Sequence, residues 1–228
     1  MTELTPSQDQ KRLALVRPLF AQDIALAVVS PLADPPAPFA AEAACLSPRA
    51  LDKRRREFAA GRAAAHQAMA ALGQAPEPIP VAENRAPVWP AGLVGSISHT
   101  RSCAMSVVAK QGNIRGLGID VEEDKPLADD LWPAICSAQE QDWLRGQDNP
   151  GQLAKLVFSA KEAAYKCQFT VSERYYGFDG MELTLDLASS SYSARFCADQ
   201  PPFACGDRIL GRFAIGAGVI VTTAELRS

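Results

Sequence analysis

Between Gln152 and Cys167, apolar side chains at Leu153, Leu156, Val157, Ala160, Ala164 and Cys167 recur at helical spacing along one face. A helix with so continuous an apolar stripe must bury it. The polar residues Lys155, Ser159, Glu162 and Lys166 fall together on another face, in the stretch that contains "FSAKEAAYK". Ser159 and Glu162 also fit the S-x-x-E pattern of a capping box. Because the periodicity starts near Gln152, Glu162 lies inside the helix and cannot be its cap.

The covering surface is supplied by strands on either side of this helix. "DIALAVVS" (23–30), "SCAMSVVAK" (102–110) and "IRGLGIDVEE" (114–123) precede it, and "MELTLDL", "YSARFC", "RILGRFAIG" and "GVIVTTAEL" follow it. The Gln111-Gly112-Asn113 turn predicts a hairpin between the second and third of these strands. A second long helix is predicted from Ser47 as N-cap, with Pro48 at its first position, to Gly73 as C′. Ser137 and Glu140 form a capping-box pattern for a short helix that ends at Gly146. The plan is one long helix with a small sheet on each side of about residue 117, an α+β chain.

With 228 residues, 47% of them apolar and 21% charged, the chain has enough material for a substantial core. A net charge of −3 points away from bulk nucleic-acid binding. No stretch approaches the ~20 apolar residues of a membrane span, and nothing resembles a signal peptide, so a cytoplasmic location is expected. The six cysteines show no CxxC pairing and are expected to be reduced thiols, mostly buried.

In "GIDVEED" a strand would place Asp120 and Glu122 on one face, with Ile119 and Val121 on the other. Two readings are open: a solvated acidic strand edge, or a carboxylate pair that holds a hard divalent cation such as magnesium. Glu162 would be the third acid of such a site, although Glu162 and Lys166 also fit a helical i,i+4 ion pair. In "GSISHT" a bend would offer hydroxyls, backbone N–H groups and His99 to phosphate oxygens, and a loop histidine satisfied by backbone is the alternative. His66 reads as a partly buried helix residue. Arg55 and Arg62 share a helix face suited to polyphosphate, or else form part of the wet face of an amphipathic helix.

In this order and spacing, "GSISHT", "GIDVEE" and "FSAKEAAYK" resemble the signature motifs of the phosphopantetheinyl transferase superfamily. "REFAAGRAAAHQAM" and "RAPVWPAG" resemble its enterobactin-synthase-type branch, which serves siderophore and other secondary metabolism. The resemblance covers Arg54 to Lys166, with Phe158 where many relatives have tryptophan. It implies a monomer of two similar α+β lobes, 1–117 and 118–228. Each lobe would be a small sheet packed on a long helix, the two related by a pseudo-two-fold with the active site in the cleft between them. It implies magnesium on Asp120, Glu122 and Glu162, and coenzyme A held by Arg54, Arg62, Arg85, Ser98, His99 and Lys166. Glu162, Lys166 and His99 would be the catalytic set. The expected reaction moves the phosphopantetheine arm of coenzyme A to a serine of acyl or peptidyl carrier proteins in fatty-acid, polyketide or nonribosomal peptide synthesis. A metal-dependent phosphodiesterase and a non-catalytic binding module are the competing readings.

Overall fold

The computed structural model describes residues 6–228. In chain order it contains α1 (Gln8–Val16), β1 (Ile24–Val29), α2 (Ala40–Ala43), α3 (Asp52–Ala71), β2 (Leu93–His99), β3 (Ala104–Lys110) and β4 (Ile114–Glu123). These are followed by α4 (Trp132–Ile135), α5 (Ala138–Arg145), α6 (Pro150–Ser172), β5 (Met181–Asp186), β6 (Ser191–Phe196), β7 (Arg208–Gly216) and β8 (Val219–Arg227). Two antiparallel sheets result, a three-stranded one in the order β1-β3-β2 and a five-stranded one in the order β4-β8-β7-β6-β5. Together with the helices they make the α+β architecture expected from the sequence.

The hairpin predicted across Gln111-Gly112-Asn113 does not form. The strand β3 pairs with β1 on one edge and with β2 on the other, so no edge is left for β4, which pairs with β8 instead. "GSISH", read as a bend, is the strand that takes that edge. The turn at 111–113 therefore carries the chain from one sheet to the other. Residue 117 lies inside β4, the first strand of the second sheet.

The helix predicted from Ser47 starts later, at Asp52, with Leu51 at the N-cap and 77% exposed. Ser47 Oγ accepts from the amide of Arg49 in a local turn, and Arg55 donates to the carbonyls of Pro48 and Ala50. A serine that bonds two residues ahead is unavailable to cap a helix. The other end is as expected: Gly73 has φ +72°, its amide reaches Ala70 O, and Gln74 N reaches Met69 O, the Schellman pattern. The capping box at Ser137 and Glu140 also forms, and the helix it opens ends at Gly146.

Helix α3 covers the first sheet through small side chains such as Ala64, Ala65 and Ala68. Helix α6 lies on the second sheet, where Leu156, Ala160 and Ala164 meet Phe196, Ile209 and Ile220. Its approach to β4 requires glycine: a Cβ built on Gly118 would run into the carbonyl oxygen of Ala163, and one on Gly116 into that of Cys167. This explains the glycines of "GLGIDV", which lie against a helix rather than cradling a nucleotide. Three cysteines (Cys103, Cys136, Cys167) are buried, but Cys45, Cys197 and Cys205 are exposed, against the expectation that most would be buried. No helix among the described residues is long and apolar enough to cross a membrane.

Candidate active site

The two sheets meet where β2 runs beside β4, and serines make the joint. Ser96 Oγ accepts from the amide of Ile119 at 3.1 Å, and Ser98 Oγ accepts from that of Val121 at 3.3 Å. The two-residue period of a strand aims both hydroxyls at β4, and this gives Ser-x-Ser its structural meaning. Ser98 Oγ also donates to Asp120 Oδ1 at 2.8 Å.

Asp120 is the centre of the arrangement, 4% exposed. Its Oδ1 also takes Lys166 Nζ at 2.7 Å, and its Oδ2 takes Ser159 Oγ at 2.8 Å. Lys166 Nζ reaches Ser98 Oγ and the carbonyl of Ile119 as well. Ser159, fully buried, pairs further with Thr222 of β8. Two positions along β4, Glu122 Oε2 lies 3.2 Å from Lys155 Nζ. The α6 face predicted from residues 155, 159, 162 and 166 is therefore the face that meets the acids of β4. Glu162 is not a cap: it stands mid-helix, as periodicity required.

The electrostatics show crowded negative charge. Burial raises the Glu122 carboxyl above its ordinary value, and the neighbouring Asp120 raises it further, partly offset by Lys155. Burial raises Glu162 as well; Lys166 pulls it down, while Asp120 and Glu122 push it up. Glu162 thus senses both strand acids. Among the described residues, however, no three His, Cys, Asp or Glu side chains are close enough together to hold a metal ion. Lysines stand against Asp120 and Glu122 instead. A divalent cation nevertheless suits the donor set: the groups are carboxylates, partly buried, and their raised ionisation cost is of the kind an added positive charge removes.

On the α3 side, Arg54 Nη1 lies 2.9 Å from His99 Nε2. Burial, then Arg54, lower the His99 pKa; Glu57 raises it, Lys166 lowers it and Asp120 raises it. Arg62 is 6% exposed, lies over the Phe58 ring, and has Nε 3.9 Å from Glu42 Oε1. The carboxylate of Glu42 is itself fully buried and accepts from the amides of Phe39 and Ile79 and pairs with His66 Nε2. His66 is the partly buried helix residue expected. Arg55 is not beside Arg62's partners but is spent on backbone carbonyls. Arg85 sits exposed at φ +70° in the turn between Val81 and Pro87, with no side-chain bond to the other predicted residues.

Beside Glu162 opens a cavity of about 310 Å³ lined by Lys161, Tyr165, Tyr175, Tyr176 and Phe178. Sequence reasoning missed these aromatic walls, which lie mostly past Phe169 with no periodic signal. It also missed Glu42, Glu57 and Thr222. Lys161, which shares the motif with Glu162, does not reach the acids: it is 3% exposed, pairs with Glu140 at 2.9 Å, and donates to the carbonyls of Ile135 and Phe178. It fixes the cavity wall.

The sequence that builds this site has known counterparts. Residues 41–109 match the family model "4'-phosphopantetheinyl transferase N-terminal domain", and residues 116–217 match "4'-phosphopantetheinyl transferase superfamily". The chain is 30% identical to 4'-phosphopantetheinyl transferase PptT of Mycobacterium tuberculosis over 213 residues, 88% of this chain and 92% of that protein. It is 34% identical to 4'-phosphopantetheinyl transferase Npt of Nocardia iowensis over 63% of this chain and 64% of the relative. It is 38% identical to enterobactin synthase component D of Salmonella typhi over 58% of this chain and 55% of the relative. The two models between them take in both long helices, α3 and α6, and every residue of the Ser98–Asp120–Lys166 joint, and the chain belongs to the 4'-phosphopantetheinyl transferase superfamily.

Proposed function

We propose that this protein transfers the 4'-phosphopantetheine moiety of coenzyme A to a serine of an acyl or peptidyl carrier protein, with Asp120, Glu122 and Glu162 as the residues that hold magnesium. The observation that carries this reading is the joint itself. Asp120 is fixed by three side chains from two elements, Ser98 of β2 and Ser159 and Lys166 of α6, with the crowded carboxyls of Glu122 and Glu162 beside it.

Transfer at phosphorus depends mainly on positioning and on neutralising charge. When bound, the metal supplies Lewis-acid polarisation of phosphoryl oxygens. Arg54 and His99 on one wall, with Lys166 on the other, receive the anionic phosphates of coenzyme A. Lys166 is already held in place by Asp120, Ser98 and Ile119 O, so it meets the phosphate with little loss of side-chain freedom. The aromatic cavity beside Glu162 accommodates the uncharged pantetheine arm. The carrier serine then forms its Oγ–P bond as the pyrophosphate P–O bond breaks, and adenosine 3',5'-bisphosphate leaves. Glu162, directly or through a water, accepts the serine proton on its carboxylate.

We read the chain as two lobes, 1–117 and 118–228, in a monomeric cytoplasmic enzyme of fatty-acid, polyketide or nonribosomal peptide synthesis. The two sheets and their helices support the division, although the junction falls within β4. The test is intact-mass analysis of apo carrier protein incubated with this protein, coenzyme A and magnesium. A gain of one phosphopantetheine on the carrier serine is expected. Coenzyme A cleavage without carrier modification would indicate a phosphodiesterase, and binding without either reaction a silent binding module.

A further inference from the structure

The contact between Arg54 and His99 fixes the tautomer of His99. An arginine only donates, so Nε2, 2.9 Å from Arg54 Nη1, must be the acceptor and the ring proton must sit on Nδ1. That Nδ1 is buried and has no hydrogen-bond partner. Glu57 Oε2 lies 3.9 Å from it, on a side chain 12% exposed that also pairs with Lys53 at 3.8 Å. A buried N–H with a carboxylate just beyond hydrogen-bond distance is an unfinished charge pair.

We propose that Glu57 is a positioning residue that orients His99 through Nδ1 and becomes its counter-ion when coenzyme A binds, so that coenzyme A binding takes up a proton. This rests on the reading that Arg54 and His99 receive coenzyme A phosphate. When phosphate arrives, Arg54 turns its N–H from His99 to a phosphate oxygen. Nε2 loses its donor and faces an anion, so it takes a proton from solvent and donates to that anion. The imidazolium then carries N–H groups on both sides, with phosphate at Nε2 and Glu57 at Nδ1. The other charged groups that face the ring are Arg54 of α3, Lys166 of α6 and Asp120 of β4. In the free protein the two cations and burial oppose protonation; a bound dianion reverses that balance.

The test is calorimetric titration with coenzyme A in two buffers of unlike ionisation enthalpy at about pH 7.5, where an ordinary histidine is mostly neutral. Wild-type protein should take up about half a proton or more per coenzyme A bound. His99→Ala should abolish the uptake. Glu57→Gln should cut it by about twofold or more and weaken binding about tenfold near pH 6.5, but less than about threefold near pH 9, where no imidazolium needs a counter-ion. Glu57→Asp should restore part of the uptake. A purely structural role for Glu57 would weaken binding equally at both pH values. Wild-type binding without proton uptake, or uptake that survives His99→Ala, overturns the inference while leaving the phosphate site intact. No coenzyme A binding at all overturns the functional reading with it. If Glu57→Gln fails to fold, the wild-type and His99→Ala measurements still decide the proton uptake, and a folded Glu57→Ala protein decides the role of Glu57: reduced uptake supports that role, whereas wild-type uptake and affinity at both pH values overturn it.

Discussion

The two helix-and-sheet units use the same elements to opposite electrostatic ends. In the first, α3 and β2 bring Arg54 and His99 to the joint. In the second, β4 and α6 bring Asp120, Glu122 and Glu162, interleaved with Lys155 and Lys166. The helices also sit differently. Helix α3 is also close to its sheet, but the contact is with a side chain: a Cβ on Gly61 would press on Ile97 Cγ2 at 3.1 Å. Helix α6 is pressed against the β4 backbone at Gly116 and Gly118. The unit that carries Arg54 and His99 packs its helix through side chains, whereas the unit that carries Asp120, Glu122 and Glu162 packs its helix directly on backbone.

The sharpest way to break this comparison is to make the same substitution in both interfaces. Gly118→Ala should cost at least about 3 kcal/mol of stability, because a backbone carbonyl cannot give way as a side chain can. Gly61→Ala should stay within about 1 kcal/mol of wild type, the helix-propensity gain offsetting a tight contact that a small shift of the Ile97 side chain relieves. Urea denaturation of both variants decides, and equal losses would remove the distinction between the helices.

Next in size, Asp120→Ala should slow carrier modification by at least about 10²-fold, the scale for losing a central electrostatic group. Initial rates by intact mass test it, with circular dichroism to confirm folding, and near-wild-type turnover would contradict the acidic half of the comparison. On the basic half, Arg54→Ala should weaken coenzyme A binding by about tenfold or more, from the loss of a charge-assisted hydrogen bond. Calorimetry at low and high salt should show the gap between variant and wild type narrowing as salt rises.

The smallest effect runs against function. Burial, with Asp120 and Glu122, holds the Glu162 carboxyl above its ordinary value despite Lys166. A carboxyl raised in the folded state favours folding below its unfolded pKa, and that contribution is lost as pH rises through the folded value. In metal-free protein near neutral pH, Glu162→Gln should therefore raise Tm by about 2–4 °C, the shift that ~1 kcal/mol produces in a chain this size. The difference should shrink as pH falls toward the ordinary glutamate range, and excess magnesium should reverse it. Thermal melts with chelator and with magnesium measure both.

Periodicity gave the face of α6 that carries Lys155, Ser159, Glu162 and Lys166 and the placing of Asp120 and Glu122 on one face of a strand, and capping signals gave the ends at Gly73 and Ser137. These features depend on neighbours within one or two turns or on the pleat of a single strand. Tertiary structure decided that "GSISH" is a strand rather than a bend, because it pairs with β3, the next strand, and its serines reach β4, 23 residues further along the chain. The burial of Arg62 against Glu42, the loss of Arg55 to backbone carbonyls and the aromatic walls beside Glu162 were decided at the same level. Side-chain identity and spacing specify which groups a local element presents; which of those groups meet depends on how separate elements pack, and no local pattern encodes that.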